Sequence, residues 1–349
     1  MSEYDPEELV DEKEDGHVSL GKRRNSKKKS LALTIVLVFF VVMGFIIVNI
    51  LRSRENAGPA ITPVGSISTL NPAQPVRIST EISPKGEIST TPYALNNYAH
   101  YMLQLINEDR QNNGLRPVEW DHTAAQIGRL HAEDMAQLGY FSHWNTNGYG
   151  PDMRYAISGG RDVVQENLYS YWYHFSSGTP APITNWEQLI QDAQISLMNS
   201  PGHRANILDP AHTHVGIGIA YNPKTGEVRL AQEFLNRYVA LSEIPLEAKK
   251  GQEIRVAGVL LLGAHDPIIN VAFEPSPKPL SIWDLNNTVP HTYESVAKNI
   301  QAIAPDSFDS AFSALVNVGA QGAGFYHIRI WVTQAGTQVM AAEIIVAVL

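Results

Sequence analysis

Apolar residues recur along this chain in three rhythms, and each change of rhythm marks a boundary. The first is a continuous run: residues 31–51 are uncharged and almost wholly apolar, ending at Leu51. As a helix, about 20 such residues match the hydrocarbon thickness of a bilayer. Lys22, Arg23, Arg24, Lys27, Lys28 and Lys29 precede the run, and a basic flank of this kind is retained in the cytoplasm. The pattern predicts an acidic then basic cytoplasmic tail at 1–30, an uncleaved membrane-spanning anchor at 31–51, and everything after Arg52 outside. Residues 52–92 follow with Pro59, Pro63, Pro72, Pro75, Pro84 and Pro92 among many Ser and Thr. So little apolar surface cannot offset the entropy of ordering, and a semi-extended tether is expected.

From there the period becomes helical. Leu95, Tyr98, Met102, Leu105 and Ile106 share one face of a helix that Gly114 ends. Asp121 caps a second, with Ile127, Leu130, Met135 and Leu138 as its apolar stripe and Gly139 as its stop. A third opens at Thr184, in a capping box with Glu187, and turns Trp186, Leu189, Ile190, Ala193 and Leu197 toward a core. Ser200 caps a short fourth, with Pro201 at its first position and His203 and Arg204 in its first turn.

The third rhythm has a period of two. Val215, Ile217 and Ile219 line one face of a strand, while Gly216 and Gly218 leave the other face bare, which invites a close approach to that backbone. Strands at about 214–221 and 228–235, joined by the turn residues 222–226, make a hairpin bracketed by helices. A layered α/β domain over 93–239 is the expectation. Beyond the junction Glu243-Ile244-Pro245, segments 253–262, 268–274, 325–333 and 338–348 are rich in Val, Ile and aromatics. They predict a separately folding β-sandwich at 242–349, with an immunoglobulin-like form as the leading expectation and a helix at about 293–304 as the alternative for its middle.

Composition narrows the chemistry. A net charge of -9 across 349 residues leaves no basic surface for nucleic acid once the juxtamembrane cluster is set aside. The absence of cysteine excludes disulfides and thiolate chemistry, so any metal would need His, Asp or Glu. Neither His-Glu-x-x-His nor a Gly-x-Ser-x-Gly elbow occurs, and Ser142 and Ser200 read as turn and cap residues.

Seven blocks in order carry a family resemblance: Ile106-Asn107-Glu108-Asp109-Arg110 with Gly114-Leu115; Val118-Glu119-Trp120-Asp121; His131-Ala132-Glu133-Asp134-Met135; Tyr140-Phe141-Ser142-His143; Glu166-Asn167-Leu168; Met198 through Leu208; and Val215-Gly216-Ile217-Gly218. Together they resemble the bacterial branch of the CAP superfamily, the SCP/PR-1-like proteins. The resemblance implies an α-β-α sandwich with a large central cleft, here preceded by one transmembrane helix and followed by the small all-β domain. It also implies that His143, Glu166 and His203 stand where the family holds a divalent cation such as Zn2+. A second family glutamate is missing near Asn199 or Ser200, and Gln165 replaces a frequent Gly. The expected set is two imidazoles and one carboxylate with weakened affinity. Ser142, Asn167, Ser200 and Arg204 are the expected cleft residues beside them.

Other readings of these residues stand beside that one. His203 and His143 can serve as hydrogen-bonded loop anchors, Glu166 can satisfy backbone amides, and His131 reads as a packed core histidine. His212 and His214 read as exposed. For function the leading expectation is a membrane-anchored, extracytoplasmic, non-catalytic cleft for a lipid or other small ligand. A metal-dependent hydrolase and a structural or adhesive cell-surface module are the alternatives.

Overall fold

The computed structural model describes residues 92–349, with side chains from Leu95 onward. The tail at 1–30, the anchor at 31–51 and nearly all of the tether therefore lie outside the described residues, among which no helix is long and apolar enough to cross a membrane.

The first layer is helical. Helix α1 (Pro92–Asn112) and helix α4 (Trp186–Asn199), with the short α5 (Pro201–Ile207), pack on one face of a four-stranded sheet. That sheet contains β1 (Glu119–Trp120), β2 (Val163–Trp172), β3 (His214–Asn222) and β4 (Glu227–Asn236), in the order β1-β3-β4-β2. Met102, Ile106, Trp186, Ile190 and Leu197 meet Val215, Ile217, Ile219, Leu230 and Phe234 there, so the strand alternation becomes the core. Helix α2 (His122–Leu138) and the short α3 (Pro151–Ile157) cover the other face.

The bare glycine face is where α2 docks. A Cβ on Gly216 would stand 2.0 Å from Ala125 N, and one on Gly218 2.0 Å from Arg129 N. Such close approach turns Ala124, Gly128 and Ala132 to the glycine face, and Ile127, His131, Met135 and Ala136 are buried beside them. Leu130 and Leu138, expected in the stripe, are instead exposed at 48% and 46%, because a leucine would hold the helix too far from the strand. Asp121 caps α2 through Ala124 N and Gly139 ends it in the left-handed conformation (φ 74°), as the sequence predicts.

Two caps differ from expectation. Helix α4 starts one residue later than Thr184 implies, with the side chain of Asn185 accepting from Gln188 N. The Ser200 hydroxyl caps no amide of α5; it lies 2.8 Å from His203 Nδ1. His212, expected at the surface, is fully buried between Asn236 and Asn206 and stacked on Phe234.

The remainder is a β-sandwich. One sheet joins β5 (Val239–Leu241), β7 (Glu253–Leu260), β10 (Asp306–Phe308) and β11 (Ala311–Asn317) in the order β10-β11-β7-β5. The other joins β6 (Glu247–Ala248), β8 (His265–Glu274), β9 (Lys298–Ile303), β12 (Gly324–Gln334) and β13 (Thr337–Val348) in the order β6-β13-β12-β8-β9. Val256, Val316, Val271, Ile328, Ile330 and Ile344 fill the space between them. The strand order follows the immunoglobulin pattern. So does the Tyr326 hydroxyl, which donates to Gly322 O and accepts from Gln321 N at the start of β12. The middle of this domain is not helical at 293–304, since Lys298–Ile303 pairs with β8 as an edge strand. Its helix comes earlier, as α6 (Ile282–Asn287).

The sandwich and the α/β layers share a compact unit. Asn236 Nδ2 donates to Met340 O at 3.1 Å and Glu343 N to Arg161 O at 3.0 Å. At the centre of this seam Asp152 of α3 lies beside His327 and Glu343, all three buried.

Candidate functional site

Glu166 of β2 and Glu233 of β4 are direct cross-strand partners, and both side chains turn toward α2. Each is wholly buried. Two adjacent carboxyls in a dry environment cannot both ionise. Burial first, and the neighbouring Glu166 second, drive Glu233 well above the carboxylate range. Burial also raises Glu166, against the pull of Arg154. The negative charge therefore sits on Glu166 and the proton on Glu233.

Arg154, delivered by α3 and itself buried, neutralises that charge. Its guanidinium donates to Glu166 Oε2 and lies 3.6 Å from Glu233 Oε1, while Nη1 reaches the carbonyls of His143 at 2.6 Å and Tyr149 at 3.2 Å. One arginine thus ties the 143–149 loop to the sheet. His131, on α2 behind it, pairs Nε2 with Ser142 O at 2.8 Å and leaves Nδ1 without a partner. Burial and then Arg154 hold it well below the ordinary histidine range, so it is a neutral core histidine.

The predicted residues fall into two groups. His143 and His203 do come together, as walls of one cavity of about 160 Å³ that Phe141, Ser142 and Leu168 also line. His143 Nδ1 lies 2.8 Å from Glu166 Oε1, and burial followed by Arg154 lowers its pKa to about 4. His203 is oriented by Ser200, and burial, then His143, lowers its pKa too. Both imidazoles are neutral at pH 7. Asn167 faces away from the cavity. Its amide donates to His203 O and Gln232 Oε1 and accepts from Asn206, which fastens α5 to β2 and so places His203. Arg204 is exposed and reaches Asn113 at 3.2 Å, outside the cavity wall.

His143, Glu166 and His203 each already have a partner in this arrangement. Both Glu166 oxygens are engaged, one by His143 and one by a guanidinium whose positive charge opposes a cation at that carboxylate. Among the described residues, the one group of three potential ligands that converges is Asp152, His327 and Glu343, in the domain seam. There His327 already bridges Glu343 and Glu274, each at 3.0 Å.

The sequence carried a sign of Glu233 but none of Arg154. Glu227, Arg229, Ala231, Glu233 and Leu235 occupy alternate positions of β4, an interior strand buried throughout. Charges buried on one face of an interior strand must be paired. No such sign marks the other wall of the cavity. Leu285, Val289, Pro290 and His291, from the sandwich domain, complete it.

A model of the cysteine-rich secretory protein family, CAP, matches residues 103–235. The uncharacterized protein YkwD of Bacillus subtilis is 30% identical over 131 residues, which are 37% of this chain and 45% of that protein. The uncharacterized membrane protein YlbC of the same organism is 31% identical over 118 residues, 34% of this chain and 30% of the relative. The chain thus spans less than half the length of either. Among solved structures, an extracellular SCP-domain protein of Bacillus anthracis aligns at 24% identity with a TM-score of 0.33, covering 43% of this chain and 45% of that one. Residues 103–235 are thus a domain that matches the CAP family of cysteine-rich secretory proteins.

Proposed function

We propose that this protein is a membrane-anchored, extracytoplasmic CAP module whose cleft binds a small ligand and does not turn it over. The observation that carries the reading is the cavity itself. His143 and His203, each oriented by its own partner, present neutral imidazole beside the apolar walls Phe141, Leu168 and Leu285. A few placed hydrogen-bonding groups on an apolar wall are what orient a bound molecule. Catalytic machinery is a poorer match. Ser200 is within reach of His203 but is not among the cavity-lining residues, and the carboxylate behind His143 is neutralised by Arg154. At about 160 Å³ the cavity lies below the roughly 300 Å³ at which drug-sized pockets begin, so in this closed form it suits a small molecule and not a lipid.

The anchor at 31–51 and the name of the relative YlbC support the placement at a membrane. Ligand-observed NMR with a library of small carboxylates, alcohols and amines, on wild type and His203→Ala, tests the binding. Signals lost in the variant support it; metal-dependent hydrolysis of a peptide or ester library, lost in both His143→Ala and His203→Ala, would make the hydrolase reading the better one. Protease added to intact cells should remove the globular mass and spare the tail, and a protected globular part would refute the topology.

A further inference from the structure

Residues 278–293 belong by sequence to the sandwich, yet they pack on the CAP cleft. Leu280 N donates to Thr146 O at 2.9 Å, and Gly148 lies so close to Lys278 that a Cβ there would come within 2.3 Å of its carbonyl oxygen. Ser281 and Asp284 close a capping box that starts the six-residue helix α6. That helix drops Leu285, 2% exposed, among Met135, Tyr140, Leu168 and Ala231. Asn286 then bonds in both directions to the end of α2, accepting from Phe141 N at 3.1 Å and donating to Gly139 O at 3.2 Å. Tyr293 closes the segment against Gly150, with its ring 5.2 Å from Trp144.

The means of attachment matters more than its extent. Leu285 is the one buried side chain between Lys278 and Tyr293, while Trp283, Asn286, Asn287 and Thr288 are exposed. On the upstream side the segment hangs from Pro275-Ser276-Pro277-Lys278-Pro279, which forms no strand. Up to Pro290 the stretch is held by one buried leucine, the half-buried Leu280 and Ile282 and a few solvent-edge hydrogen bonds, while Tyr293, hydrogen-bonded to the buried Asp152, anchors its far end. The part before that anchor belongs to the low-stability end of the fold, able to open while the sheets stay intact. Its seat is the apolar floor beside the two cavity histidines, the same floor a larger ligand would need.

We infer that residues 278–293 are a tethered occupant of the CAP cleft, and that any ligand larger than the residual cavity binds by displacing this strap. The inference rests on the reading of the cleft as a binding site. It also gives the ligand a chemistry: an apolar branch that replaces Leu285 between Met135 and Leu168, and a hydrogen-bonding end toward His143 and His203. Because a short tether holds the occupant at millimolar effective concentration, a free competitor meets a cleft that is nearly always filled.

The test uses the full chain in detergent micelles, as wild type, Leu285→Asp and the milder Leu285→Ala. Hydrogen exchange should show the amides of 281–293 and of the 139–150 loop accelerating together, at least tenfold in Leu285→Asp, with the 324–348 hairpin unchanged. A fluorescein-labelled peptide of sequence 278–293 should bind Leu285→Asp at least tenfold more tightly than wild type. Equal peptide binding by both proteins, or a 139–150 loop that stays protected, overturns the inference. If Leu285→Asp unfolds, Leu285→Ala decides: exchange that spreads from the strap into 324–348 makes the segment a structural part of the core and likewise overturns it. Fragments that bind wild type and Leu285→Asp equally, with no peptide uptake, would sink the strap while sparing the small-ligand reading; peptide exchange with no fragment binding would do the reverse.

Discussion

Raising the pH from 6.5 to 8.5 should loosen the seam between the CAP layers and the sandwich, and His327 sets the size of the effect. Its imidazole is fully buried, with Nδ1 on Glu343 and Nε2 on Glu274, each at 3.0 Å. Burial disfavours the imidazolium, but the hydrogen bonds to those two carboxylates outweigh it and lift the pKa to about 9. Glu343 is held at about 2, where burial is outweighed by His327 and Arg329, so it stays charged throughout this range. A histidine whose folded value exceeds its unfolded value of about 6.5 binds more protons when folded. Its stabilisation is complete below pH 6.5 and disappears as the pH climbs through 9. Linkage puts the term at about 3 kcal/mol at pH 6.5 and under about 1 kcal/mol at pH 8.5. For a body of this size the loss corresponds to a fall in Tm of about 4–8 °C. Burial and then Glu343 raise the Asp152 carboxyl, which adds a loss of the same sign that begins at lower pH. Thermal unfolding of the purified chain at half-unit pH steps, beside His327→Gln, is the assay. The variant should start lower and fall less than wild type from 6.5 to 8.5; parallel curves, or a wild type more stable at 8.5, would refute the reasoning.

Three further outcomes follow from the same geometry. On the acid side, His143 and His212 have values lowered to about 4, chiefly by burial, so each contributes stability that is present above pH 6.5 and lost as pH falls through 4; the loss is up to about 3 kcal/mol apiece, and His143→Asn should flatten its share of a urea-unfolding series. Glu166→Gln should cost about 3–5 kcal/mol by stranding the buried Arg154 charge, whereas Glu233→Gln, which mimics the protonated state, should stay within about 1 kcal/mol of wild type; denaturant midpoints in the opposite order would reverse the charge assignment. Gly218→Ala should destabilise by about 3 kcal/mol or more because the new methyl meets helix backbone, while Gly202→Ala, with nothing within 4 Å and a helical position, should gain up to about 1 kcal/mol in a paired thermal-shift comparison.

Local chemistry decided what could be read without a structure. The helix stops at Gly114 and Gly139, the Asp121 cap, the glycine face of β3 and the 222–226 turn each depend on residues a few positions apart, so α1, α2 and the hairpin were legible in the order of residues. The two cavity histidines were legible as well, since short blocks carry them. What tertiary structure alone decided arises between elements distant in the chain. Close packing of α2 on Gly216 and Gly218 exposed Leu130 and Leu138, and burial of two facing glutamates made Arg154 the counter-ion of the cleft floor. The covering of that cleft by Leu285 joins residues more than a hundred positions apart. A period or a cap reports only the neighbours it was built from, and a site roofed by another domain comes into being when the two domains meet.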